Sequence, residues 1–497
     1  MLFNSYFFIF LFLPVTLLLF FFAAKWNRQW ALSVLLIASF IFYSWYNYHY
    51  GIILFFSIGV NFFISKNIIK ISAAKIKKYF LHLGLIFNLG LLGYFKYMNF
   101  FIQNINSLIH HQINLFNITL PLGISFFTFT QIAFLVDSYR GLVQEYKFLN
   151  YALFVSYFPH LIAGPIIHHM EVMPQFEKST IFKVNHRNLL VGLTIFAIGL
   201  FKKVIIADYL ARLVTPVFDI HSSFISTTDA WIGALAYTFE LYFDFSGYSD
   251  MAVGLSLLLG IKLPINFYSP YKSANIIEFW RRWNMTLSRF LRNYLYIPLG
   301  GNRKGPVRRY INLMITMILG GLWHGASWTF ITWGCLHGLY LCINHGWISL
   351  KKVLKISNHG GYIVHHTSKL ITFVAIVIAW VFFRAPDFTV AFQILHAMFL
   401  NIFTDPFSWC FLNALRFFSV EKIFTVIAIS FVMIGFLPNT YQLLSRIKVA
   451  LSIPKESYYL SILVWKPNFL WDVIISIIFV IDILCIQSSS TFLYFQF

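Results

Sequence analysis

Long apolar runs separated by short polar breaks set the pattern of this chain. Runs of roughly 17–25 apolar residues are the length at which a helix crosses a bilayer. They fall at about residues 5–24, 30–48, 50–65, 79–98, 118–137 and 189–214. More follow at about 231–260, 309–325, 327–349, 370–385, 423–438 and 470–487. The pattern predicts an all-α, polytopic integral membrane protein with roughly 11–13 spanning helices. Tyr151 to Ile167 is different, because Pro159, Gly164 and Pro165 interrupt it. It predicts a re-entrant segment, since irregular backbone persists at membrane depth only where protein covers it or it lines a cavity. Trp280 to Tyr294 is two-faced. Taken as one helix, it puts Trp280, Trp283, Leu287, Phe290, Leu291 and Tyr294 in an arc of roughly 100°, with Arg281, Arg282, Arg289 and Arg292 opposite. That predicts an amphipathic helix lying in the membrane interface. No short-period repeat and no separate soluble domain is visible. Residues 1–497 read as one transmembrane domain, with N-terminal helices 1–117, a core at about 118–350 and C-terminal helices 351–497.

Composition agrees: charged residues are 11% of the chain, where a soluble domain carries about a quarter. The charge they leave is +20, from 37 Lys and Arg against 17 Asp and Glu. In so apolar a chain this reads as loops facing anionic lipid, and no nucleic-acid partner is expected. The basic residues cluster at Lys66 to Lys78, Arg140 with Lys147, Lys178 to Arg187, Arg303 to Arg309 and Lys351 to Lys355, whereas residues 99–117 and 218–230 hold no Lys or Arg. The alternation predicts cytoplasmic basic clusters and an extracytoplasmic N-terminus. The first run is long, lacks a preceding basic residue and reads as a retained span rather than a cleaved signal. Cys335, Cys342, Cys410 and Cys485 stand in apolar surroundings and read as buried small hydrophobes, not as a disulfide framework.

Chemistry concentrates between Phe243 and His337. Asp244 and Asp250 flank Ser246-Gly247, and Glu240 lies one helical turn before Asp244. Buried acids need partners, and Lys202 and Lys203 are the candidates; an ion-pair network and a catalytic role both fit. His324 lies fifteen residues beyond Arg309, roughly 22 Å along a helix and past the bilayer's middle. An ionisable side chain at that depth is a functional candidate, and Gly320, Gly321 and Gly325 around it leave room for a substrate or a close backbone. From the residues alone, His324 fits either a general base or a neutral histidine bonded inside a polar bundle. His337, before Gly338, reads as a packing or helper residue. Arg281, Arg282, Arg289, Arg292 and Arg303 suit lipid phosphates or the phosphates of a cofactor. His160, His168 and His169 lack metal-ligand spacing, so no metal is expected. No phosphate-binding loop, Rossmann glycine pattern or serine-hydrolase elbow occurs.

These residues resemble the membrane-bound O-acyltransferase superfamily, and within it the bacterial branch of alginate and peptidoglycan O-acetyltransferase membrane subunits. The likeness runs through Met1 to Tyr6, Leu11 to Pro14, Phe126 to Phe129, Asp137 to Arg140, Tyr157 to His160, Ala163 to Pro165, Phe243 to Asp250, Trp280 to Arg303, Leu322 to Gly325, Phe382 to Ala385 and Phe492 to Phe497. It implies a funnel or tunnel through the bilayer, with His324 as the essential base reached from both faces. It implies acetyl-CoA as donor substrate, no permanently bound cofactor, and transfer to a hydroxyl of a cell-envelope polysaccharide through a periplasmic SGNH-type partner. The expected location is the bacterial inner membrane. Three positions depart from the family pattern, of which Phe7, in place of a common acidic residue, has no evident consequence. Asn284 stands where many relatives carry a second histidine, and asparagine can position by hydrogen bonding but cannot move a proton. Asn293 stands where an aspartate is common. The rival readings are an ion-coupled transporter, with Lys202, Glu240, Asp244 and His324 as its relay, and a catalytically silent assembly scaffold.

Overall fold

Hydrocarbon offers no partner to a backbone amide, so an apolar chain must bond within itself. The computed structural model describes residues 1–109, 112–144, 146–219, 225–355, 361–400, 420–454, 463–486 and 492–493. Among them the chain is helical, and the only strand-like pairing is an isolated bridge between Pro264 and Leu451. A π turn, Phe8–Phe12, opens into α1 (Leu13–Trp26), followed by α2 (Arg28–Ser44), α3 (Tyr48–Lys70) and α4 (Ala74–Leu92). A second π turn, Gly93–Tyr97, carries α4 into α5 (Met98–Ile109). The core begins with α6 (Ile124–Tyr139). Next come the short α7 (Phe148–Ser156) and α8 (Phe158–Leu161), an irregular stretch, and α9 (His169–Val172). Every residue from Tyr151 to His169 is buried, so this interrupted segment is covered by protein as expected.

α10 (His186–Phe201) continues through a π turn, Lys202–Ala207, into α11 (Asp208–Phe218). α12 (Thr227–Leu258) lies against both and is buried without a break from Ala236 to Leu258. Glycines bring α10 and α12 into backbone contact. A Cβ on Gly247 would stand 2.7 Å from the Gly199 carbonyl oxygen, and one on Gly254 2.6 Å from that of Gly192. Small residues at such a seam are how membrane helices gain packing energy where no hydrophobic drive exists. The chain continues through α13 (Ile276–Arg282), α14 (Met285–Leu291), a π turn at Arg292–Tyr296, α15 (Gly305–His324) and α16 (Trp328–Val353). It ends in α17 (Tyr362–Arg384), α18 (Phe388–Phe399), α19 (Val420–Gly435), α20 (Thr440–Leu443) and α21 (Phe469–Cys485).

Among the described residues, five helical stretches are both long and apolar enough to cross a membrane: Phe8–Trp26, Tyr48–Lys70, Ala74–Ile109, His186–Phe218 and Tyr362–Arg384. The chain is a multi-pass membrane protein. α12, α15 and α16 have spanning length at 32, 20 and 26 residues, but dilute their apolar content with acids, arginines or histidines.

The acids of α12 are tied down. Lys203 Nζ lies 2.6 Å from Asp244 and 2.8 Å from Asp208, and Lys202 Nζ lies 2.6 Å from Asp250. Asp250 also accepts from the Thr440 hydroxyl at 2.6 Å, and Asp244 from the Leu493 amide at 3.0 Å. The motif therefore latches distant C-terminal segments onto the central helix. Glu240 differs: its Oε2 has no hydrogen-bond partner among the described residues.

Two expectations need correction. Trp280 to Tyr294 is not one helix. It breaks at Trp283-Asn284, where Asn284 takes a left-handed backbone with φ 37°. The passing segment compensates: the Tyr268 amide donates to the Arg282 carbonyl and the Met285 amide to the Asn266 carbonyl, both at 2.9 Å. The two faces survive the break, with Trp280, Trp283, Leu287, Phe290 and Leu291 buried, Tyr294 half-buried, and Arg281 and Arg292 exposed. The cysteines are not buried either. Cys335 and Cys342 are half-buried and Cys485 is exposed on the apolar α21. Cys410 and the terminal residues 494–497 lie outside the described residues.

Candidate active site

His324 is the last residue of α15. Gly325 is extended, with φ −159° and ψ 149°, and Ser327 starts α16 by accepting the Thr329 amide on its hydroxyl. The surrounding glycines serve close packing rather than open space. A Cβ on Gly321 would strike the Phe330 carbonyl, one on Gly334 the Met317 carbonyl, and one on Gly325 the Phe330 ring. The break thus holds a histidine where two helix backbones touch.

Two cavities approach this point and share no lining residue. One, of about 70 Å³, is lined by His324 itself with Lys96, Gly123, Ser125, Phe126 and Trp323. The other, of about 560 Å³, is lined by Arg281, Arg289, Arg292, Tyr296 and His345 and reaches Trp280 and Met317. Met317 lies seven residues before His324 on α15, roughly 10 Å away along the axis. Aromatic rings stand between the two spaces. Trp333 packs at 5.1 Å from His324 and 4.7 Å from His337, measured between ring centroids, and His337 packs at 5.2 Å from Trp280. Phe383 closes the set at 5.1 Å from His324. Among the described residues the two cavities share no lining residue, these rings pack between His324 and Trp280, and His324 is only 6% exposed.

The arginines do not act alike. Arg282 and Arg303 do not line the larger cavity, and Arg282 pairs with Glu278 at 2.9 Å. Arg289 lines it but is already held by both oxygens of Glu171, at 2.5 and 2.8 Å. Arg292 donates to Asn293 at 3.2 Å, the neighbour that replaces a common aspartate. Arg281 has no acidic partner among the described residues. Arg281 and Arg292 are thus the guanidinium groups that reach this space without a carboxylate.

The sequence model of the membrane-bound O-acyltransferase family matches residues 2–385, a stretch that holds both cavities, His324 and the tied acids of α12. The chain belongs to this family. Among its relatives is a peptidoglycan O-acetyltransferase of Helicobacter pylori, 45% identical over 430 residues that cover 80% of each chain. A probable alginate O-acetylase of Pseudomonas aeruginosa is 43% identical and covers 80% of this chain and 75% of its own. A teichoic acid D-alanyltransferase of Streptococcus thermophilus is 29% identical over 47% of this chain. The protein is a membrane acyltransferase.

In this family member the other sequence-derived candidates sit apart from the cavities. His337 is fully buried. Its Nδ1 accepts from Trp280 Nε1 at 3.3 Å, and its Nε2 has no partner among the described residues. Asn284, 2% exposed, lines neither cavity and forms the left-handed turn between α13 and α14. The next residues of that turn are held through Thr286, which donates to Asn266 at 2.6 Å and accepts the Ile166 amide at 2.9 Å. Asn266 donates in turn to Ser249 of the acidic motif at 3.1 Å. Each histidine near the re-entrant segment has an ordinary partner: His160 the Phe154 carbonyl, His168 the Tyr294 hydroxyl, and His169 Asp137. No metal-holding cluster occurs among the described residues.

Three residues of the candidate site stand outside the motifs read from the sequence. Lys96 lines the His324 cavity, Trp333 forms the partition, and Glu171 braces Arg289. Lys96 left a signal, since it is a lone cation within an apolar run.

Proposed function

We propose that this protein moves an acetyl group from cytoplasmic acetyl-CoA to a hydroxyl of a cell-envelope polysaccharide, through an SGNH-type partner on the far side of the inner membrane. The placement of His324 carries the reading: one imidazole at the end of a spanning helix, with an arginine-lined cavity toward one end and its own small cavity at the other. The family's acyl transfer and the relatives named for peptidoglycan and alginate support the acceptor class. The basic ends of α15 and α16 lie on the cytoplasmic side, which leaves the N-terminus extracytoplasmic.

Arg281 and Arg292 meet the donor's phosphates, with Arg289 fixed beside them by Glu171. Arg282 and Arg303 contribute long-range attraction from outside the cavity. The acceptor hydroxyl comes from the other side, and the thioester arm reaches it past the Trp333 ring that packs on His324. His324 takes its proton as the oxygen attacks the thioester carbonyl carbon. The C–S bond then breaks, and the leaving thiolate takes the proton back from His324. His337 and Trp280 back the partition that keeps water from the thioester. Asn284 acts through the turn it forms.

Purified protein supplied with acetyl-CoA labelled in the acetyl group tests this. Label appearing on an added acceptor, or released as acetate, is the expected result, and His324→Ala in a normally inserted protein abolishes it. Ion flux without thioester turnover would establish the transporter instead, and a His324→Ala protein with full transfer would remove the proposed base.

A further inference from the structure

A helix that stops inside a membrane leaves its last carbonyls without intrahelical partners, and hydrocarbon cannot supply any. α15 ends at His324, buried in the protein and, by helical rise from Arg309, at a depth expected beyond the bilayer's middle. Three consecutive carbonyls at its end are taken by two adjacent side chains from the π turn after α4. Tyr97 donates its hydroxyl to the Leu322 carbonyl at 2.8 Å. Lys96 Nζ donates to the Trp323 carbonyl at 2.6 Å and to the His324 carbonyl at 2.8 Å. We infer that Lys96 and Tyr97 are positioning residues for His324, holding the interrupted end of α15 in the place from which the imidazole reaches the acyl carbonyl. This rests on the acyl-transfer reading above.

The residue types fit the task. An ammonium carries three donors and can serve two carbonyls at once, where a neutral hydroxyl serves one. Its charge also complements the negative end of the helix dipole. A lysine kept in an apolar spanning helix calls for such a reason. The backbone fits as well. Adjacent residues of a regular α-helix point apart, whereas Lys96 and Tyr97 bear together on one helix end from a π turn, a local widening common at functional sites. The same helical stretch also grips the other side of the break. Asn104 on α5 accepts from Trp328 Nε1 at 2.9 Å, and Phe100 packs on the Trp328 ring at 5.9 Å. Trp328 is the first residue of α16. Residues 93–109 therefore clamp both halves of the interruption, and Lys96 lines the small cavity with His324.

The test is steady-state acetyl transfer by the full chain in detergent or vesicles, with expression and thermal midpoint recorded for each variant. Lys96→Met is expected to lower kcat by about 10- to 100-fold, the scale of a misplaced catalytic group, with the KM for acetyl-CoA within about twofold. Lys96→Arg, which keeps charge and several donors, is expected to recover most of kcat. Tyr97→Phe removes one hydroxyl and no charge and is expected to cost about fivefold in kcat alone. It carries the test if Lys96→Met fails to insert. A folded Lys96→Met or Tyr97→Phe protein with unchanged kcat overturns the inference. So does a Lys96→Arg protein as impaired as Lys96→Met, because a folded state merely needing that exact side chain would give it. Wild-type protein that never turns over acetyl-CoA would instead overturn the proposed function.

Discussion

Lys203 stands between Asp244 and Asp208, 2.6 and 2.8 Å away, so one buried ammonium compensates two carboxylates. Asp244 also holds the Leu493 amide, which links the ion pair to the C-terminal segment. Removing the cation strands two acids, whereas removing one acid leaves the cation a partner. Lys203→Met is therefore expected to destabilise the fold by about 3–5 kcal/mol, and Asp244→Asn by clearly less. Thermal unfolding of purified protein in one detergent, followed by light scattering, checks the order. Equal losses would mean that Asp208 does not share the charge.

Arg281 and Arg292 reach the larger cavity without an acidic partner, while Arg282 is paired with Glu278 outside it. Arg281→Gln and Arg292→Gln are each expected to raise the KM for acetyl-CoA by about tenfold, the scale of one lost charge-assisted hydrogen bond, with kcat little changed. The effect should shrink as salt rises. Arg282→Gln is expected to leave KM within about twofold. Initial-rate kinetics at two ionic strengths separate the three variants, and a dominant Arg282 effect would place the donor elsewhere.

Asn284 has a backbone at φ 37°, which glycine accepts freely and a β-branched residue resists. Its role through the turn predicts that Asn284→Gly keeps both fold and most activity. Asn284→Val is expected to lose about 1–2 kcal/mol of stability and to shift the arginine-bearing α14. Thermal midpoints and acetyl-transfer rates for the pair decide the matter. A well-folded, inactive glycine variant would assign the amide itself to the chemistry.

The sequence showed most of what depends on single segments. The apolar runs reappear as helices, the broken Tyr151–Ile167 run is a covered irregular segment, and helical rise put His324 at the inner end of its helix. Lys202 and Lys203 could be matched to the acids because few charges compete in so apolar a chain. What escaped depends on contacts between distant segments. The helix break at Asn284 is bridged by hydrogen bonds with residues 266 and 268, which periodicity over residues 280–294 cannot register. Lys96 escaped because its partners are backbone carbonyls more than two hundred residues away, which leave no mark in the sequence around it. Of the acids that make the arginines unequal, Glu278 lies one helical turn from Arg282, but no local spacing connects Glu171 to Arg289.

The ring set around Trp333 has a bioenergetic consequence. A membrane that stores a proton gradient would lose it through any water-filled shaft, and a histidine in such a shaft would hasten the leak. Here edge-on contacts among Trp333, His324, His337, Trp280 and Phe383 fill the stretch between the two cavities, so groups held in them would face one another across packed rings rather than along an open shaft.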